Sequence, residues 1–215
     1  MRPLVALLLA LTALPIVAEE PGTDTPYRNY YKQLAPAKAA DTDNALRIRM
    51  CPRPLHEGEQ LPADLAFEIR DGTERTPIAF DPQHCFELPV NAAWVEHDAV
   101  LHKNSNRKLQ AVVDITGKLP VSTQLNYAEL TASVPAFERV IASQGMMARL
   151  FGPSVKGLEI KFDAAAPQTL IVHAPDGDRK YVTDAKGVIR LPVDPKLNSV
   201  RVELSSPPLE IGPDA

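Results

Sequence analysis

Five histidines, His56, His84, His97, His102 and His173, are the side chains best suited to hold a metal or move a proton. A metal site needs several of them to converge. Read as one strand, Trp94 to His102 sends His97 and His102 to opposite faces, because an odd separation reverses the side-chain direction. They cannot then share an ion. Glu96 and Asp98 do share a face of that strand, which a glycosidase could use, but alternating charge on a solvated strand explains them better. Ser105-Asn-Arg-Lys108 has the Ser-x-x-Lys spacing of an activated serine, but that chemistry needs the serine at a helix start, and these residues fall in a polar turn. No Gly-x-Ser-x-Gly elbow, phosphate-cradling glycine loop or His-Glu-x-x-His helix is present. Met146-Met147 reads as adaptable packing, since copper sites of that kind need several thioethers at recurrent spacing. The expectation is a non-catalytic protein with no cofactor and no metal.

Two other groups have chemistry in their spacing. Tyr27, Tyr30, Tyr31 and Leu34 recur at helical intervals, so the tyrosines either dock a short helix on the first domain or, with Trp94, form an aromatic platform for a glycan or protein partner. Cys51 and Cys85 are the only cysteines, which in an exported chain favours a disulfide. Alternation places Leu46, Ile48 and Met50 on one face of a strand and Arg47, Arg49 and Cys51 on the other; Cys85 shares its face with Glu87. The predicted bridge therefore lies on the polar, outer face of one sheet. Closing its loop stabilises the fold by about 3 to 4 kcal/mol in the loop-entropy model.

The elements that position these residues are predicted to be strands. Twenty-one prolines in 215 residues, spread along the chain, rule out long helical bundles and coiled coils. From Ala45 the apolar pattern has period two: Leu46, Ile48 and Met50; Leu65, Phe67 and Ile69; Ile78 and Phe80; Phe86, Leu88 and Val90; then Trp94 to His102 and Leu109 to Ile115. Turn residues such as Asp71-Gly72 and Asp81-Pro82 bound the runs, as in an antiparallel sandwich. Pro52 and Pro54 are expected to stop the first strand and to mark an edge. The period becomes helical between Pro120 and Pro153, with Ser133 as cap, Pro135 in the first turn, and Phe137, Val140, Ile141, Met147 and Leu150 on one face. Gly145 weakens the middle of this one substantial helix by about 1 kcal/mol. Alternation returns at Leu158, Ile160 and Phe162, then Leu170 and Val172, Val188 to Leu191, and Val200, Val202 and Leu204.

The fold class is thus mainly β with one substantial helix: two small antiparallel β-sandwich-like modules joined by a helical segment. The predicted divisions are a signal peptide at 1–18, a leader and short helix at 19–44, a first module at 45–119, a helical connector at 120–156 and a second module at 157–215. The signal follows from Arg2, the uncharged apolar run Pro3 to Val17, and Ala18 before two glutamates, a run too short to span a membrane. A periplasmic or secreted location follows. The formal charge of −4 is mild, and the densest basic run, Lys103 to Lys108, holds only three cations. Nucleic-acid binding, which needs clustered Lys and Arg, is not expected.

The two β-rich stretches also resemble each other. Asp81 precedes Pro89 as Asp184 precedes Pro192, by eight residues in each case, and each unit follows an Asp-Gly turn, at Asp71-Gly72 and Asp176-Gly177. The pattern Asp184, Gly187, Ile189, Leu191 and Pro192 resembles the transthyretin-like and carboxypeptidase-regulatory-like sandwich modules of exported bacterial proteins; the first copy has His84 where the glycine aligns. The resemblance covers about residues 64–90 and 168–205 and implies a small sandwich acting as spacer, adhesion unit or appended domain. Hydrolases of the transthyretin-like group end in Tyr-Arg-Gly-Ser, whereas this chain ends in Ile-Gly-Pro-Asp-Ala, so that activity is not implied. The functional expectation is an envelope protein that binds a protein or glycan. The alternatives are a periplasmic hydrolase with a site assembled from dispersed polar residues, and an assembly factor that lends a strand edge, for which an uncovered edge beside Pro52 is the sign.

Overall fold

The computed structural model describes residues 22–143 and 154–214. The predicted signal at 1–18, together with Gly145, Met146, Met147 and Leu150 of the predicted helix, lies outside the described residues.

The first half contains β1 (Thr23–Pro26), α1 (Tyr27–Ala40), β2 (Leu46–Pro54), β3 (Phe67–Asp71), β4 (Glu74–Ile78), α2 (Ala92–Glu96), β5 (Val100–Lys103) and β6 (Leu109–Gly117). One antiparallel sheet has the order β1-β5-β3-β4. Facing it are β2 and β6, with Phe86 bridged to Met50 on the other side of β2. The second half contains β7 (Gln124–Asn126), α3 (Tyr127–Leu130), α4 (Val134–Ser143), β8 (Gly157–Lys161), β9 (Thr169–Ala174), β10 (Gly177–Val182), β11 (Val188–Pro192), β12 (Arg201–Leu204) and β13 (Glu210–Asp214). Its sheets have the orders β7-β12-β9-β10 and β11-β8-β13. The second half thus repeats the first, with β11 standing where the first half has only the Phe86 bridge. The chain is mainly β, and alternation explains why: Leu46, Ile48 and Met50, Leu158 and Ile160, Leu170 and Val172, and Val202 and Leu204 are all buried in one apolar cluster. Each such side chain stabilises the fold by about 1.5–3 kcal/mol relative to exposure.

The repeated Asp unit has the same backbone in both copies. The Asp81 carboxylate accepts from the Gln83 and Cys85 N–H groups, as Asp184 does from Lys186 and Val188. His84 holds a positive φ of 58° where Gly187 holds 76°. The histidine therefore adopts the left-handed turn that the glycine adopts without strain.

Several predicted elements differ. The leader at 19–44 contributes an edge strand, β1, and α1 runs through Pro36 to Ala40, because buried Tyr27, Leu34 and Ala37 hold the helix on both sides of the proline. At 14 residues α1 is the longest described helix, longer than the 10 described residues of α4. The connector at 120–156 includes β7, which pairs with β12. Trp94 to His102 is not one strand: the Asn91 side chain accepts from Ala93 N–H and starts α2, so β5 begins only at Val100. Phe86, Leu88 and Val90 contribute only the bridge at Phe86.

Pro52 and Pro54 do not stop β2, which pairs with β6 as far as Pro54 opposite Leu109. Met50 exchanges both backbone hydrogen bonds with Phe86, so every second residue of β2 turns its backbone groups away from β6. Pro52 and Pro54 share that direction. Their missing N–H groups face the edge and leave the ladder to β6 whole.

The halves meet along α1 and α4 and where the end of β6 packs against β13. Arg139 of α4 donates to the Ala40 carbonyl at 2.9 Å and to Asp43 at 2.6 Å, pinning α4 to the end of α1.

Candidate functional site

Lys103, the last residue of β5, lies opposite Phe67 of β3; the corresponding residue of the second half is Leu204, opposite Leu170 of β9. Thr25 of β1 lies opposite Leu101, as Leu125 of β7 lies opposite Val202. Leu125 and Leu204 are buried and complete the second core. Thr25 and Lys103 are half-buried, and beside them the first sandwich is open. The opening is a cleft of about 460 Å³. Met50, Phe67, Phe86 and Leu101 form its apolar walls, with Tyr30 and Leu55 at the lip.

The electrostatics of the cleft are one-sided. Lys103, Arg107 and Lys108 line one end of it, and no carboxylate is among the lining residues. Arg107 reaches Glu59 at 3.5 Å and donates to the Gln60 carbonyl at 2.8 Å. Lys103 donates to the Arg107 carbonyl. Burial pulls the Lys103 ammonium below its ordinary pKa. Lys108 forms no ion pair among the described residues.

Beside this cleft runs a strand edge that is bare from Leu109 to Val113, while Thr116 and Gly117 at its far end are buried where β13 packs against β6. Met50 faces Phe86 with its backbone, so Val113, its partner across the ladder, turns its own N–H and C=O away from β2; Ala111 and Ile115 share that direction. Among the described residues β6 pairs with β2 alone. Ala111, Val112 and Val113 are exposed. Its sequence, Leu-Gln-Ala-Val-Val-Asp-Ile-Thr-Gly, has no proline and one charge over nine residues. The equivalent edge, β13, is short and reads Glu-Ile-Gly-Pro-Asp, with the proline and acids that blunt an edge against pairing.

The sequence-predicted residues fall elsewhere in part. Cys51 and Cys85 form a disulfide with Cα atoms 4.2 Å apart, between β2 and the neighbouring Phe86 segment of one sheet. It lies on the arginine face as expected, but it is buried, because Asp81 and Asp114 fold over that face to meet Arg49. Tyr27, Tyr31 and Trp94 make no open platform. Tyr27 is 1% exposed, its ring meets Trp94 edge-on at 5.3 Å and Tyr31 at 6.2 Å, and its hydroxyl is bonded to backbone. Of the four aromatics only Tyr30 lines the cleft.

Three of the five histidines sit in separate carboxylate pairs: His97 with Asp71 at 3.0 Å, His102 with Asp24 at 2.6 Å, and His173 with Asp178 at 2.9 Å. The hydrogen bond to Asp71 holds the exposed His97 imidazole above its ordinary pKa. No cluster able to hold a metal occurs among the described residues. Glu96 ends α2 while Asp98 turns to Arg28, so this carboxylate pair shares no strand face.

The cleft was not legible as a site in sequence. Its signal was the half-to-half difference, Thr25 for Leu125 and Lys103 for Leu204, which becomes visible only once strand register aligns the halves.

Fold and cleft together define a tandem antiparallel β-sandwich protein whose first core opens beside the uncovered first half of β6. No helix of the described residues is long and apolar enough to cross a membrane. The chain belongs to the family described as protein of unknown function (DUF2987), which matches residues 22–162, from just before β1 to just past β8. No curated protein and no solved structure matches it.

Proposed function

We propose that this chain is a non-catalytic exported protein, periplasmic or secreted, that binds a protein partner by accepting an extended segment of it along β6. In this reading its halves are sandwich modules similar to the transthyretin-like and carboxypeptidase-regulatory-like ones, the second closed and the first adapted for binding. The observation that carries the reading is the open apolar cleft flanked by the bare edge of β6. An added strand satisfies the outward backbone groups of Ala111 and Val113, and its alternate side chains enter the cleft. A glycan offers no such ladder of amides, and Tyr27 is buried with its ring packed against Tyr31 and Trp94. The Cys51–Cys85 disulfide supports export, since such bonds persist in oxidising compartments.

The test is backbone amide exchange on the full chain, with and without an acetylated, amidated peptide of alternating valine and threonine. Slower exchange at Ala111 and Val113, unchanged exchange at Gly212 of β13, and loss of the effect in Val113→Pro are expected. Uniform exchange with every extended peptide overturns the reading. For export, whole cells treated with a thiol reagent should label the cysteines only after reduction.

A further inference from the structure

We infer that the segment taken up along β6 ends there: the site captures a free C-terminus, whose terminal carboxylate meets Lys103, Arg107 and Lys108. This rests on the strand-binding reading above.

Direction comes from β6 itself. Every ladder among the described residues is antiparallel. β6 runs from Leu109 to Gly117, so an antiparallel guest brings its C-terminal end to Leu109, beside the three cations. A parallel guest brings its N-terminal end, and a terminal ammonium there meets like charge. Charge and ladder geometry select the same orientation.

The loop between β5 and β6 is held in place at that end. The Asn104 side chain accepts from Ala66 N–H at 2.9 Å and donates to the Asp64 carbonyl at 2.7 Å. Arg107 adds its 2.8 Å bond to the Gln60 carbonyl. A guest whose C-terminal end lies beside Leu109 therefore reaches an anchored loop that supplies cations, and a terminal carboxylate fits that charge. A carboxylate also meets the charge at Lys103, where the second half buries Leu204. Burial already weakens the Lys103 ammonium, and no lining carboxylate compensates it. The last residue of the guest turns its side chain into the cleft and, by alternation, so does the third from the end. Both should be apolar, given the walls of Met50, Phe67 and Phe86.

The experiment measures binding of three peptides to the full chain by fluorescence anisotropy: Thr-Val-Thr-Val-Thr-Phe with a free carboxylate, its C-terminal amide, and the same peptide extended by two glycines. The free acid should bind about ten- to a hundredfold more tightly than the amide, the range expected for charge-assisted hydrogen bonds. Lys103→Met should lower the affinity of the acid more than that of the amide, so that their ratio falls toward one. Val113→Pro should remove all three, and because its N–H faces outward the substitution leaves the β2 ladder intact. Equal affinity for acid, amide and extended peptide overturns the C-terminus inference and leaves strand binding standing. Failure of every peptide, with binding instead to anionic phospholipid vesicles or with self-association that peptides do not displace, overturns both.

Discussion

Tyr27 and Tyr127, one hundred residues apart, make the same two hydrogen bonds in the two halves. The Tyr27 hydroxyl donates to the Pro89 carbonyl at 2.5 Å and accepts from Asn91 N–H at 3.0 Å; that of Tyr127 donates to the Pro192 carbonyl and accepts from Asp194 N–H at 3.1 Å. Each tyrosine opens a helix after an edge strand and ties it to the segment after the Asp…Pro unit. The acceptor prolines are the ones whose spacing from Asp81 and Asp184 marked the repeat in sequence. The repeated unit is therefore larger than a hairpin: it begins at the edge strand before each tyrosine.

Tyr27→Phe and Tyr127→Phe should each cost about 1–3 kcal/mol, because each strands a backbone donor and acceptor inside the fold. Equilibrium urea unfolding measures this. Burial pushes both phenols above the ordinary tyrosine range. The folded state then holds these protons more tightly than the unfolded state, so the contribution is complete below about pH 10 and is lost as pH rises beyond it. The phenylalanine variants should show a flatter fall in stability above about pH 10.

The two copies of the Asp turn make opposite predictions for the same position. His84→Gly should stabilise by about 0.5–1 kcal/mol, since glycine accepts the positive φ of 58° without strain. Gly187→Ala should cost about 1–3 kcal/mol, because φ is 76° and the new Cβ would stand 2.8 Å from the Phe162 carbonyl oxygen. Thermal or urea denaturation of the two variants against the parent decides; a stabilised Gly187→Ala contradicts the assigned turn.

Asp81 joins the turn, the disulfide and the buried Arg49. Arg49 donates to it at 2.8 Å and to Asp114 at 3.0 Å. Burial pushes the Asp81 carboxyl up, but the bonds from Cys85 N–H, Arg49 and Gln83 N–H outweigh it and hold the group below the ordinary carboxylate range. Its contribution is therefore present at neutral pH and is lost as pH falls below about 4. Asp81→Ala should cost about 1–3 kcal/mol, because the Cys85 and Gln83 N–H groups and one arginine nitrogen lose their acceptor while Arg49 keeps Asp114. Stability measured between pH 7 and 3 should fall less steeply in Asp81→Asn than in the parent.

Much of the scaffold was legible because alternation and turn chemistry act locally. Leu46 to Met50, Leu158 to Ile160 and Val202 to Leu204 are strands whose oily residues are buried, as the period predicted. β1, β7 and β13 were not legible: they are short, hold proline or polar residues, and exist because a neighbouring strand offers an edge. Local capping misled in the opposite sense at Trp94, where Asn91 starts a helical turn that the apolar period cannot reveal. The cleft is less legible still. It depends on which polar residue replaces which leucine across about a hundred positions, a comparison that needs register.

If the first core is a closed sandwich with two apolar side chains missing, restoring them should close it. Thr25→Leu and Lys103→Leu place the residues of the second half, Leu125 and Leu204, at the corresponding positions. Each should stabilise by about 0.5–2 kcal/mol, as cavity-filling substitutions do. Lys103→Leu also removes an ammonium that burial already disfavours. The double variant should show a higher urea midpoint, slower amide exchange at Leu101, and no peptide binding along β6. Overpacking predicts the reverse sign, a loss of about 1–3 kcal/mol. Destabilisation in both single variants therefore means that the walls of Met50, Phe67 and Phe86 have already settled around the polar pair, and that the cleft is not the vacant counterpart of the second core.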